Sequence, residues 1–465
     1  TQPLMPTMIS YNGPRTAKGD INKDGLEDIF ICGAQGQPGQ LLIQQKDGRF
    51  IADEQPDFTK DALYEDSDAI FFDADNDGDL DLYVVSGGYN FDADDKELQD
   101  RLYINNNGKF YKMPQSLPTE SLSGSCVRAA DIDNDGDLDL FVGSRVIPGR
   151  YPESPASLLL INNGKGEFTN APAAMITPLE SLGMVTDAVW LDVDNDGSKD
   201  LVVCGEWMKL HLLSNKNGTL TDLSDKFFPD SLKGWWNRLQ LADMDGDGDL
   251  DLIAGNWGLN SPIKVSRSEP ATMFYNDFDK NGSVDPLICY YIEGKSYPMA
   301  TRDEMTDQIV SLRQRFPTYD SYANATIEDV LTPEQLKSAK QLSTDYFETT
   351  YFENDKGIFK AKKLPLEANF FPVFAISTGD FDHDGKQDII LAGNIDHARI
   401  KIGKMDAGYG VLLKGDGKGH FEYMPQLKSG LSVPGCTRDI IKLNGKNGDR
   451  VIFAINNGTP VIYSY

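Results

Sequence analysis

Cysteine and histidine are scarce in this 465-residue chain, with five of the first and four of the second. Cys32, Cys126, Cys204, Cys289 and Cys436 lie far apart in strand-like stretches such as IFICGA and LVVCGE, and none forms a C-x-x-C pair. An odd, scattered set is not a disulfide framework; these are small buried hydrophobes. His211, His383, His397 and His420 are equally dispersed, and none belongs to H-E-x-x-H. There is no G-x-S-x-G elbow, and GKS at 294–296 is no phosphate loop because Cys289 stands where the first glycine belongs. GDGKG at 415 is a hairpin turn without the strand–helix setting of a dinucleotide site. No apolar run approaches a membrane span, and residues 1–30 show no signal-peptide pattern. The opening, TQPLMPTMIS, has no initiator Met and reads as a processed or excised chain. Basic residues are outnumbered, 44 against 72 acidic, and a net charge of −28 argues against a nucleic-acid partner.

What is abundant is aspartate at a fixed step. DADNDGDLDL, from residue 73, places Asp73, Asp75, Asp77 and Asp81 at loop positions one, three, five and nine, with a glycine at six and the carbonyl of Asp79 available at seven. Ca²⁺ takes six to eight oxygen ligands, and a glycine at position six lets the loop curl sharply around it. The pattern recurs in Asp20, Asn22, Asp24, Leu26 and Asp28, and in Asp131, Asp133, Asp135, Asp137 and Asp139. It returns in Asp192, Asp194, Asp196, Ser198 and Asp200, and in Asp243, Asp245, Asp247, Asp249 and Asp251. Asp277, Asp279, Asn281, Ser283 and Asp285 form the sixth copy, and Asp380, Asp382, Asp384, Lys386 and Asp388 the seventh. One such loop is an ordinary turn signal, but seven filled copies predict about seven structural Ca²⁺ ions. A degenerate eighth, DIIKLNGKNGD from Asp439, keeps the strands and loses the ligands.

Each loop is flanked by apolar runs (AVWLDV before, DLYVVSGG after), and a second hairpin with Asn-Gly or Asp-Gly chemistry follows, as in NNNGKF and NNGKGEF. Four short antiparallel strands in about 40–60 residues describe a propeller blade. The expected fold is therefore an all-β propeller over residues 1–465. Eight units favour eight blades; a short 34-residue step after Asp243 leaves seven with one irregular unit as the alternative. The N-terminal segment is expected to complete the last blade.

These loops and hairpins resemble the FG-GAP/VCBS repeats of integrin-α-like propellers. More narrowly, GPRTAKGDINKDGLEDIFICGAQGQPGQL, RDEMTDQIVSLRQRFPTYDSYANATIEDVL and GDFDHDGKQDIILAGN resemble the C-terminal half of large VCBS-repeat surface proteins of Bacteroidota-type bacteria, often grouped with the ASPIC/UnbV family. The resemblance implies an exported protein of the cell surface or outer membrane, with a further propeller region upstream.

A 103-residue step before Asp380 holds a helical insertion at about residues 300–345, with Met305, Ile309 and Leu312 at helical spacing and a capping box at Thr332–Gln335. It reads as a lid packed on its own unit or as a partner contact. On the face opposite the metal loops the connections carry Trp207, Trp235, Trp236, Arg238, Asn256, Trp257 and Arg145. Tryptophan beside Asn and Arg suits a protein hot spot or sugar stacking; packing between blades is the competing explanation. The sequence thus predicts a non-catalytic extracellular binding or assembly module with a glycan or outer-membrane protein as partner. A uronate-cleaving polysaccharide lyase using His397, Arg399, Lys401 and Tyr409 is the alternative, and a structural spacer the third.

Overall fold

The computed structural model describes residues 2, 4–399, 401–443 and 448–465, and is an all-β propeller of eight antiparallel sheets. Seven of these sheets form the ring. Their first strands are Thr16–Gly19, Asp66–Phe72, Ser123–Ala130, Met184–Leu191, Arg238–Ala242, Val373–Gly379 and Thr437–Leu443, and define blades one to seven. Each packs against the first strand of the next blade, and blade seven returns to blade one. In blades one to six the metal loop joins the first strand to the second. The second strands are covered on both faces by neighbouring blades, which is why they read as nearly unbroken apolar runs: Asp81–Ser86 and Asp139–Val146 are buried at every residue. Outer strands such as Phe50–Asp53 keep none of their residues buried.

The eighth sheet is not a ring blade. Its strands Ala271–Asn276, Asp285–Ile292, Lys295–Pro298 and Lys340–Thr344 are inserted between the second and third strands of blade five, Asp251–Gly255 and Thr350–Asp355. Its last strand returns to the free edge of its first, the edge that faces the axis in a ring blade. The short step after Asp243 marks this departure. Between the third and fourth strands run helices Arg302–Gln308, Leu312–Arg315, Tyr319–Tyr322, Ile327–Val330 and Pro333–Ser338, the predicted helical insertion. Thr301 and Thr332 cap the first and last, each in a capping box. These helices pack on their own sheet, with Met305, Ile309, Leu312 and Ile327 buried against Leu287 and Cys289.

Ring closure differs from the expectation. Blade seven has three strands among the described residues, and the N-terminal segment does not supply a fourth. That segment instead crosses the face opposite the metal loops: Leu4 joins the helical cluster, Ile9 the central one, and Thr7 bridges Ala398 of blade six. Its apolar residues Leu4 and Ile9 are buried there, which an exposed outer strand would not achieve on both faces. Blades one and seven meet side by side, where the Thr16 N–H and hydroxyl both donate to Asp439, at 3.1 and 2.6 Å. The tip of the degenerate eighth loop, residues 444–447, lies outside the described residues.

Candidate metal sites and the tryptophan cluster

Each loop is built by its own side chains. The fourth residue is left-handed (Lys23, Asn76, Asn134, Asn195, Lys280 and His383 have φ between 57 and 62°), and so is the glycine at six, with φ of 98° at Gly136. Only glycine adopts the second of these without strain. The first aspartate then accepts from the backbone of positions five and six: Asp131 takes the N–H of Asp135 and of Gly136, both at 3.1 Å. The ninth is buried and fixed at both oxygens. Asp81 accepts from Ala74 N–H at 2.9 Å and Asn105 N–H at 2.8 Å. Burial outweighs those hydrogen bonds and pushes the Asp81 carboxyl up to about 7, and those of Asp28, Asp139 and Asp285 to about 6.

Positions one, three and nine converge. Carboxylate oxygens of Asp73, Asp75 and Asp81 lie within 4.8 Å of one another, as do those of Asp131, Asp133 and Asp139, and of Asp192, Asp194 and Asp200. The same holds for Asp243, Asp245 and Asp251 and for Asp277, Asp279 and Asp285. Fifth-position carboxylates stand outside these triads, with one oxygen accepting the N–H of position seven, as Asp77 Oδ1 does from Asp79 at 2.8 Å. Asp73 Oδ1, Asp133 Oδ1, Asp249 Oδ1 and Asp279 Oδ1 are buried without a hydrogen-bond partner. Buried anionic oxygens without donors are costly, and an oxygen-rich, like-charged cradle fits a hard divalent cation of the Ca²⁺ type. The seventh loop differs, because the Lys414 ammonium sits on Asp384 at 2.9 Å and also on Asp382.

A residue that sequence reasoning passed over ties the loops together. Asn105, on the third strand of blade two, donates to Ile21 O of blade one's loop at 2.9 Å and to Leu80 O of its own loop at 3.0 Å. Its Oδ1 accepts Gly108 N–H in the hairpin turn at 2.8 Å. Asn162 repeats this with Ala74 O, Leu138 O and Gly164 N–H, and Asn215 reaches Ile132 O of the preceding loop. The signal was present in the Asn of NNNGKF and NNGKGEF, where it reads as turn chemistry alone.

The tryptophan face is not a surface. Trp207, Trp235, Trp236 and Trp257 are 4, 3, 0 and 4% exposed. Trp235 packs 4.8 Å from Trp207 and 4.5 Å from Trp257, ring centre to ring centre. Met273, Ile288, Met299 and Phe347 of the insertion, Tyr151 of blade three and Met405 of blade six close over Trp207, Trp235 and Trp257, while Trp236 is buried in a separate cluster. Asn256 accepts Trp235 N–H at 3.1 Å and donates to Tyr346 O and Glu348 O, and Arg145 pairs with Glu206. The predicted exposed partner site is therefore interior. Its cover comes from a sheet inserted into blade five.

A sequence profile for FG-GAP-like repeats matches residues 20–84, 85–142 and 192–254. The chain is a β-propeller that carries FG-GAP-like repeats. No curated protein matches its sequence. Solved structures similar to this FG-GAP propeller include Saccharomyces cerevisiae Sqt1, at 10% identity and TM-score 0.45, covering 99% of this chain and 100% of that one. Chaetomium thermophilum Sqt1, bound to the N-terminus of ribosomal protein L10, gives the same identity, coverage and score. The V. cholerae biofilm matrix protein Bap1 is 13% identical with TM-score 0.38, over 99% of this chain and 88% of that one.

The axis of the FG-GAP propeller is charged. Arg128 of blade three pairs with Asp68 of blade two at 2.7 Å and with Asp187 of blade four. Arg238 of blade five, predicted at the partner face, joins Asp187 at 3.6 Å to Asp439 of blade seven at 2.7 Å. The residues named for a lyase lie on and beside blade six's connection, where His397 stacks on Tyr11 at 4.2 Å and Arg399 pairs with Glu304 of the helical insertion at 2.5 Å. Burial lowers the Lys401 ammonium, and Tyr409 is 47% exposed.

Proposed function

We propose that this FG-GAP propeller is a calcium-stabilised, non-catalytic binding or assembly module that works outside the cytoplasm, where calcium is abundant, on a protein or glycan partner. The observation that carries the calcium is the repeated convergence of three carboxylates, some with a buried oxygen that no protein donor satisfies. Ions that bind the folded loops and not the unfolded chain stabilise by mass action. A lyase needs a free cation to neutralise a uronate, and the pairing of Arg399 with Glu304 disfavours that assignment.

With the tryptophans covered, the partner surface this reading favours is a cleft of about 580 Å³ at the seam of blades seven and one. Gln37, Gln40, Asn456 and Asn457 line it with amide donors and acceptors. Differential scanning calorimetry with chelator, then with Ca²⁺ or Mg²⁺ added back, tests the metal. Glycan arrays and cross-linking at the cell surface, with Gln37→Ala and Gln40→Ala combined, test the cleft. A melt indifferent to chelator would reduce the aspartates to turn formers.

A further inference from the structure

In the ring, every metal loop leans on strands around it. The third strand of the same blade holds the ninth aspartate, as Asn162 N–H holds Asp139 Oδ1 at 2.8 Å, and for the loops of blades one to three an Asn of the next blade also holds the second residue's carbonyl. The inserted sheet has no next blade. Both tasks pass to its helices: Gln308 Nε2 donates to Asp285 Oδ1 at 2.6 Å, and Gln335 Nε2 donates to Phe278 O at 3.1 Å. These glutamines belong to the first and last of the five helices, so the whole segment between them is anchored at both ends to one metal loop.

The helices have little else of their own. They are four to seven residues long, well below the length at which a helix persists alone. They hold by burying Met305, Ile309, Leu312 and Phe316 against Leu287 and Cys289. At the anchor itself, carboxylate oxygens of Asp277, Asp279 and Asp285 lie within 4.8 Å of one another, and Asp279 Oδ1 is buried with no partner. A cation there removes the repulsion between the groups that Gln308 must grip. Without it the loop splays and both anchors weaken together.

Resting on the calcium reading above, we propose that a divalent ion in the Asp277–Asp285 loop controls the docking of residues 302–338. Its loss alone uncovers the outer face of the inserted sheet while the seven-bladed ring stays closed. Proteins open in local units below the cost of global unfolding, and Cys289, fully buried beneath these helices, reports the opening. The other four thiols are buried elsewhere, outside that helical cluster.

The test is thiol labelling of the native chain at saturating calcium, read by mass spectrometry. Asp279 Oδ1 has no hydrogen-bond partner, so Asp279→Asn removes negative charge from the ion's cradle at constant size without breaking a protein hydrogen bond there. The expected result is Cys289 labelled at least about tenfold faster than in the wild type, a shift of about 1.4 kcal/mol in the opening equilibrium. Cys32, Cys126, Cys204 and Cys436 should stay protected, and Asp133→Asn should leave Cys289 protected. Gln308→Leu with Gln335→Leu should lower the calcium stoichiometry by one. A calcium-responsive melt with Cys289 equally protected in Asp279→Asn and wild type overturns this proposal alone. Release of all five thiols together also overturns it, because the ring would then be opening. A wild-type melt indifferent to calcium removes the metal reading itself.

Discussion

At the scale of the residue, the ring is held by side chains that cross between blades. Asn162 makes hydrogen bonds to two metal loops and one turn, and is 3% exposed. Asn162→Leu should cost about 2–4 kcal/mol in urea unfolding, because it strands buried backbone groups on two blades. Arg128 stands between Asp68 and Asp187, whose side chains are 5 and 1% exposed. Arg128→Met leaves the buried Asp68 without its paired cation and Asp187 with only the longer contact to Arg238, and should cost about 3–5 kcal/mol. Glu65 provides a pH signature. Burial, with the Asp66 charge adding to it, pushes its carboxyl from 4.5 up to about 7. The folded state therefore binds more protons than the unfolded chain between those values, and stability falls as pH rises through that window. Glu65→Gln removes the effect, so its melting temperature relative to wild type should rise from about pH 5 to about pH 8, by the equivalent of at most about 3 kcal/mol. A pH-independent difference would show that Glu65 titrates normally.

At the scale of the element, the inserted sheet decides which surfaces exist. Four tryptophans on neighbouring connections look like a binding face until Met273, Ile288 and Phe347 are placed over three of them. Trp236 fills the space between blades four and five instead, beside Phe352. Trp235→Ala should therefore act on stability and not on partner affinity, costing about 3–5 kcal/mol as a core truncation. A folded variant of unchanged stability would return these side chains to the surface. The helical insertion was legible because capping boxes and apolar spacing are local signals. Its dependence on a metal loop was not, since Gln308 and Gln335 acquire their role from a carboxylate and a carbonyl brought close only by the fold.

At the scale of the molecule, the proposed calcium ions and the net charge would act on the chain as a whole. Seven divalent ions would halve the formal charge of −28. Chelation should lower the melting temperature by tens of degrees, with Ca²⁺ restoring it. Mg²⁺ should largely fail, since it demands a tighter octahedral shell and dehydrates reluctantly. The seventh loop should bind its ion more weakly than the second to fifth, because Lys414 competes for Asp384. Titration by isothermal calorimetry would show this as a separate class of site.

The sequence by itself determined the blade. Loop ligands, the glycine at position six, the alternating strands and the hairpin turns all act within about ten residues, so their spacing carries the geometry. It also determined the number of repeat units, and thereby eight sheets. Only the tertiary structure decided that seven of them close the ring while the eighth lies across one face. That outcome depends on the strand Lys340–Thr344 occupying the free edge of Ala271–Asn276, a pairing across more than sixty residues. Closure through Asp439 and Thr16 rather than by an exchanged strand was likewise beyond local pattern. Both turn on competition between distant segments for the same edge or the same apolar surface, and a spacing along one strand carries no term for a competitor four hundred residues away.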